Sequence, residues 1–167
     1  MELKELNDLY IDELKDLYNA EHQILEALPK MADTATSPKL KKAFQTHIKQ
    51  TEVHVQRLEQ IFEKLGEKPT GKVCKAMKGL VAEGAEMIKE DATPYVKDAG
   101  LITSAQRVEH YEMAGYGSVR TFAKTLGYDD AAALLQTTLD EEQQTDLNLT
   151  ALAEATINDK AMAGATK

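Results

Sequence analysis

Apolar side chains recur three and four residues apart along most of the chain. This spacing places them on one face of an α-helix, and we call each such row a seam. Alternation with a period of two residues is scarce, and no Asn-Gly or Asp-Gly pair of the kind that closes a β-hairpin occurs. Four seams therefore predict four long helices, over about residues 3–33, 38–65, 94–126 and 131–153.

Proline and glycine mark the ends of the predicted helices. Ser37-Pro38 and Thr93-Pro94 each join a good N-cap residue to a proline that suits the first helical position. Gly66 and Gly127 follow the second and third seams, where a glycine can adopt the left-handed conformation that ends a helix. Pro29 is expected to kink the first helix near its end.

The lengths of the connections predict the topology. Short linkers join the first helix to the second and the third to the fourth, so each pair should be antiparallel. A connection of about thirty residues, with a short amphipathic connector helix, separates the two pairs. This is the arrangement of ferritin-like four-helix bundles, which have one long crossover. A short internal repeat supports it, since Ala20-Glu21-His22 recurs as Val108-Glu109-His110.

Length and composition limit the possible classes of protein. The chain has 167 residues and a formal charge of −8, which suits one domain, predicted over residues 3–157, followed by a small polar tail at 158–167 that should fray. The acidic balance argues against a nucleic-acid partner, and no stretch is apolar enough to suggest a membrane partner. Cys74 is the only cysteine. A reducing compartment and the lack of a recognisable secretory signal favour the cytoplasm.

Carboxylates interrupt three of the four seams near the middle of their helices. Five acidic residues occupy these positions: Glu21, Glu109, Glu112, Glu142 and Asp146. An unpaired charge in a bundle core costs several kcal/mol, and neighbouring like charges add to that cost. Protonation, pairing with arginine or lysine, or a bound cation could each relieve it. One or two multivalent metal ions would neutralise several carboxylates at once, and such sites suit iron or manganese.

The second helix offers imidazoles instead of carboxylates. His47, Thr51 and His54 stand at positions i, i+4 and i+7, beside the apolar seam. We expect His54 to turn inward at the level of Glu21 and to act as a ligand, whereas His47 taken alone is typical of a partly buried helix histidine. The run that contains Glu142 could equally be a solvated acidic face. The metal hypothesis depends on the coincidence of five acidic seam positions in three helices.

Several segments resemble the YciF/YciE family of bacterial stress-response proteins. The resemblance covers about residues 3–157 and is carried by Tyr18-Asn-Ala-Glu21, Val73-Cys-Lys-Ala-Met77, Val108-Glu-His-Tyr-Glu112 and Leu139-Asp-Glu-Glu142. It implies a ferritin-like domain of the rubrerythrin type, a homodimer in place of a large cage, and a dinuclear metal site. Two iron ions would be the expected cofactor, with manganese or zinc as other possible occupants.

The resemblance assigns ligands by position. It places Glu21 on the first helix, Glu109 and Glu112 on the third, and Glu142 with Asp146 on the fourth; His54 completes the set. The second helix departs from the family, because Gln50 stands where a glutamate is usual.

Two functions from different classes follow from these features. The first is a ferritin-like stress-response protein whose di-iron site binds and oxidises Fe²⁺ or reduces peroxide. The second is a metal-free helical bundle that acts as a dimeric interaction protein, an alternative that the missing glutamate at Gln50 favours.

Overall fold

The computed structural model describes residues 3–164, and its regular structure over that range is entirely helical. The helices are α1 (Leu6–Thr34), α2 (Pro38–Leu65), α3 (Lys75–Lys89), α4 (Pro94–Thr125), α5 (Asp129–Leu152) and α6 (Asn158–Met162), with a π-helical turn at Ala153–Ile157. Helices α1, α2, α4 and α5 form the predicted antiparallel bundle, and α3 is the connector helix in the long crossover. The all-α fold class is thus confirmed. None of the described helices combines the length and apolar character that a membrane span needs.

The predicted helix ends are found at the expected residues. Pro38 and Pro94 open α2 and α4, and Gly66 and Gly127 adopt positive φ angles of 67° and 79° beyond the ends of α2 and α4. The cap of α2 has an additional partner that the sequence pattern did not reveal. The buried carboxylate of Asp98 accepts hydrogen bonds from the backbone N–H groups of Thr36 and Ser37, each at 2.8 Å. This contact fastens the α1–α2 turn to α4.

The core consists of two apolar clusters, one toward each end of the bundle. One contains Tyr10, Leu14, Phe62, Tyr116 and Leu135, and the other contains Leu28, Phe44, Leu101, Leu149 and Ile157. Along each long helix, the change from one cluster to the other falls where the sequence places its polar seam residues. These residues therefore form a polar layer across the middle of the bundle.

Cys74 has a structural role at the start of α3. Its Sγ accepts a hydrogen bond from the backbone N–H of Met77 at 3.3 Å and lies 2.9 Å from the hydroxyl oxygen of Tyr111. Burial is the main reason that the pKa of the thiol is raised. A buried cap with this pKa shift fits a structural cysteine better than a nucleophile.

The C-terminal segment differs from the expectation of a tail that frays from residue 158. The π-helical turn brings Ile157 into the core, where it is fully buried, and Asn158–Met162 form a further helix. Lys160 also donates a hydrogen bond to the hydroxyl of Tyr95 at 2.9 Å. The expectation is therefore wrong for Asn158–Met162, because burial of Ile157 stabilises the turn before them. Residues 1–2 and 165–167 lie outside the described part of the chain.

Candidate metal centre

The polar layer contains four carboxylic acids and two imidazoles that are almost completely buried. These are Glu21 from α1, His47 and His54 from α2, Glu109 and Glu112 from α4, and Glu142 from α5. Each is at most 3% exposed. All four bundle helices therefore contribute to one buried site, and five of its six residues belong to the predicted ligand set.

The donor atoms form two groups that share one carboxylate. His47, Glu109, Glu112 and Glu142 can each place a donor atom within 4.8 Å of the others, and so can Glu21, His54 and Glu142. Glu142 contributes a carboxylate oxygen to each of the two groups. Two neighbouring sites with a shared carboxylate have the layout of a dinuclear metal centre in a helical bundle.

Many of the donor atoms make no well-formed hydrogen bond within the described residues, although several face one another at ion-pair distance. The unpartnered atoms are Glu21 Oε2, His47 Nε2, His54 Nδ1, Glu109 Oε2 and both carboxylate oxygens of Glu112 and of Glu142. A buried polar atom left unpaired costs about 1–3 kcal/mol. Such atoms are rare singly, and eight in one layer fit a site built for cations. Carboxylate oxygens with imidazole nitrogens form a donor set that suits iron, manganese or zinc.

Glu141 contacts the ring of His54 on the side that faces away from Glu21 and Glu142. Its Nε2 lies 2.9 Å from Oε2 of Glu141, and Arg57 holds that carboxylate with hydrogen bonds of 2.6 and 3.0 Å. Its Nδ1 lies 2.9 Å from Oε1 of Glu142 and 3.5 Å from Oε1 of Glu21. Because a carboxylate accepts hydrogen bonds, Glu141 favours a proton on Nε2 and leaves Nδ1 to face the two glutamates.

Burial and mutual repulsion shift the acidity of the layer. Burial is the main reason that the pKa values of Glu109 and Glu112 are raised well above the usual range, and the nearby charge of Glu142 adds to both shifts. Burial also opposes ionisation of Glu142, but the close contact with His54 and the interaction with His47 outweigh it and lower its pKa. Burial likewise opposes the charged form of His54, yet contacts with Glu142 and Glu21 raise its pKa to about 10. Glu109, Glu112 and His54 therefore favour their protonated forms, whereas Glu142 favours its charged form and burial lowers the pKa of His47.

His47 is the site residue that the sequence pattern does not single out as a ligand. Its Nε2 lies 3.3 Å from Oε1 of Glu109 and 3.8 Å from Oε2 of Glu142, and the residue is only 3% exposed. The separation of seven residues from His54 was the available signal, because two helical turns return to nearly the same face. Taken alone, His47 predicts only a partly buried helix histidine.

Asp146 lies at the rim of the layer and belongs to neither donor group. Its Oδ1 accepts a hydrogen bond from Gln106 at 3.0 Å and lies 3.4 Å from Nε2 of the exposed His110. Gln50, the position of the missing glutamate, borders a cavity that also reaches His47 and Glu109. The structure therefore brings Glu21, His54, Glu109, Glu112 and Glu142 together and leaves Asp146 beside them.

The pattern of ligands differs from the usual pair of Glu-x-x-His motifs in ferritin-like sites. On α2 the corresponding run is Thr51-x-x-His54, and the hydroxyl of Thr51 bonds to the carbonyl of His47 at 3.0 Å. On α5 the run is Glu142-x-x-Thr145, and Oγ1 of Thr145 lies 3.5 Å from Nδ1 of His47. The fold and the site define a four-helix-bundle protein with a buried carboxylate–histidine layer.

Comparison with known proteins places the chain in a family. It belongs to the family described as a domain of unknown function, DUF892, whose model matches residues 5–162. The protein YciF of Escherichia coli (strain K12) is 42% identical over 162 residues, which cover 96% of this chain and 98% of YciF. The resemblance stated from sequence is thus confirmed.

Solved structures agree with this assignment. The crystal structure of the E. coli stress protein YciF matches with a TM-score of 0.90 and 42% identity, over 93% of this chain and 98% of that one. YcfI from Rhodopseudomonas palustris matches with a TM-score of 0.86 and 41% identity, over 89% and 95%. A protein from Xanthomonas campestris pv. campestris has a TM-score of 0.74 at 17% identity, over 95% and 98%, and supports the fold alone.

Proposed function

We propose that this protein is a ferritin-like stress protein whose bundle core holds two iron ions that serve in Fe²⁺ oxidation or peroxide reduction. The observation that carries the proposal is the set of eight unpartnered donor atoms on six buried residues, arranged in two groups that share Glu142. The similarity to a stress protein supports the cellular context.

Each residue of the layer has a definite role in this proposal. Glu21 and His54 would hold one ion, and His47, Glu109 and Glu112 would hold the other, with Glu142 common to both donor groups. When bound, an iron pair would supply one electron from each ion, which suits a two-electron reduction of peroxide. The apolar clusters above and below limit the access of water, so the donors keep their orientation. Manganese or zinc fits the same donors.

A cavity that opens to the surface leads to one side of this layer. It lies between α2 and α5, has a volume of 260 Å³, and reaches His47 and Glu109 at its inner end. Lys42, Gln50 and Thr145 are among its lining residues. A small polar oxidant such as hydrogen peroxide would approach His47 and Glu109 by this path.

Elemental analysis tests the proposal. The protein is produced in iron-supplemented medium and compared with Glu109→Ala, Glu142→Ala and the control Glu52→Ala, whose side chain is exposed on α2. We expect two ions per chain in the wild type and in the control, and a marked loss in the two layer variants. Equal, near-zero metal in all four samples would reject the metal site.

The alternative is a metal-free bundle that acts as a dimeric interaction protein. Gln50 removes one expected carboxylate, and a protonated His54 would balance part of the remaining negative charge. In that case elemental analysis finds no stoichiometric metal, whereas light scattering finds twice the chain mass. Under the di-iron proposal we also expect a homodimer, so the metal content separates the two functions.

A further inference from the structure

A second cavity reaches the polar layer from the opposite side of α2. It lies between α1, α3 and α4, has a volume of 140 Å³, and ends at His47 and Glu109. Most of its surface is aliphatic, from Ile24, Leu28, Leu80, Val81, Ile88 and Val108, and the exposed Glu26 and Lys30 also line it. Helix α3 therefore does more than connect the two halves of the bundle, because it forms one wall of an apolar chamber.

Small side chains on α3 leave space for this chamber. Gly84 and Ala85 both line it, and a Cβ atom built on Gly84 would stand 3.8 Å from Cβ of Ser104 on α4. An apolar cavity of about 150 Å³ inside a protein can stay free of water and bind benzene. The chamber has a similar volume but is open to solvent on one side, and an apolar group of that size fits it.

The inner end of the chamber is polar. Nε2 of His47 and Oε2 of Glu109 have no hydrogen-bond partner within the described residues, and both side chains are buried. A molecule that fills the chamber would place its apolar body against α1 and α3 and a terminal polar group at the metal position that His47 and Glu109 border. Water or an ion alone would gain nothing from the aliphatic walls.

We propose that this chamber binds a small organic hydroperoxide, with its apolar group between α1 and α3 and its peroxide group toward His47 and Glu109. The inference rests on the proposed di-iron function and names its substrate class. The O–O bond of ROOH is broken, two Fe²⁺ ions each lose one electron to become Fe³⁺, and two protons are taken up to give ROH and water. Hydrogen peroxide has no apolar group and does not need this chamber.

Benzene binding to the metal-free protein tests the chamber without any iron chemistry. Saturable binding of one benzene per chain is expected, measured by titration calorimetry. Ala85→Leu fills the chamber from α3 and should weaken binding tenfold or more. Ala82→Leu adds the same side chain to an exposed position of α3 and should bind as the wild type does. Ala27→Leu, on the α1 wall, repeats the test if Ala85→Leu does not fold.

The iron-loaded protein gives a second readout. We expect Ala85→Leu to lower the ratio of the oxidation rate with tert-butyl hydroperoxide to that with hydrogen peroxide tenfold or more, while Ala82→Leu leaves this ratio unchanged. No benzene binding by the wild type, or equal binding by Ala85→Leu, would overturn the inference. Benzene binding by a protein that takes up no iron would support the chamber but reject the di-iron function. Failure of the chamber proposal can therefore be distinguished from failure of the di-iron proposal.

Discussion

At the scale of single residues, Glu141 sets the orientation of an important imidazole although it lies outside the donor groups. It contacts Nε2 of His54 at 2.9 Å and is itself held by two hydrogen bonds from Arg57. Nδ1 of His54 is thereby left facing Glu21 and Glu142. Carboxylates that orient metal-binding histidines in this way usually affect metal affinity almost as strongly as the ligands do.

Replacement of Glu141 should therefore weaken metal binding without removing a ligand. For Glu141→Ala we expect the affinity for Mn²⁺, used as a redox-stable probe, to fall by roughly tenfold to a hundredfold. Calorimetric titration measures this loss. Asp140→Ala, at the exposed neighbouring position, is the control and should bind as the wild type does. Identical affinities in Glu141→Ala and the control would show that Glu141 does not position His54.

The sequence predicted the acidic members of the layer better than the others. A carboxylate on an apolar seam contradicts the hydrophobic pattern, so Glu21, Glu109, Glu112 and Glu142 were visible in the sequence. His47 stands beside the seam of α2, and only the fold shows that its ring reaches Glu109. Helical spacing gives the helix face on which a residue lies but not its depth in the bundle. It also does not show whether a neighbour will supply a hydrogen bond, as Gln106 does for Asp146 at the rim of the layer.

At the scale of the helices, close contact between α1 and α4 depends on a glycine. A Cβ atom at Gly115 would lie only 2.7 Å from Cδ2 of Leu17, which is 2% exposed in the core. Gly117 is in the same helix, and nothing lies within 4 Å of the position where its Cβ would be. The two glycines have the same intrinsic effect on the helix but differ in packing.

We therefore expect Gly115→Ala to be less stable than Gly117→Ala by about 1–3 kcal/mol in the free energy of unfolding, the usual range for overpacking a core. Both alanines gain the same helix propensity of about 1 kcal/mol, so that gain cancels in the comparison. Urea unfolding of the two variants provides the measurement. Equal unfolding free energies would mean that Leu17 moves aside without cost.

The helices themselves could be predicted because local rules determine their ends. Proline at positions 38 and 94 and glycine at positions 66 and 127 act through their own backbone, and all four lie at helix ends in the structure. Non-local contacts could not be predicted in this way. The carboxylate of Asp98 binds the backbone of a turn 61 and 62 residues away, and Ile157 is buried only because a π-helical turn redirects the chain.

At the scale of the whole molecule, metal binding should be coupled to proton release. Burial and the charge of Glu142 raise the pKa values of Glu109 and Glu112, and contacts with glutamates raise that of His54 to about 10. With this pKa, His54 carries its proton at neutral pH, and a metal ion bound at its Nδ1 would displace that proton.

Affinity for Mn²⁺ should rise with pH, because fewer protons compete for the donor atoms at higher pH. The measurement is calorimetric titration at one pH in two buffers with different enthalpies of ionisation, repeated at a higher pH. We expect the heat to depend on the buffer and the affinity to increase. Heats that are equal in both buffers, together with an affinity independent of pH, would contradict the presence of protons on the donors.

The central claim is that this bundle holds two metal ions in one layer, on either side of Glu142. The most direct test is anomalous diffraction at the iron edge from crystals grown anaerobically with ferrous iron. The account predicts two anomalous peaks per chain, one near Glu21 and His54 and the other near His47, Glu109 and Glu112. A map from iron-saturated crystals without a peak in this layer would contradict the claim.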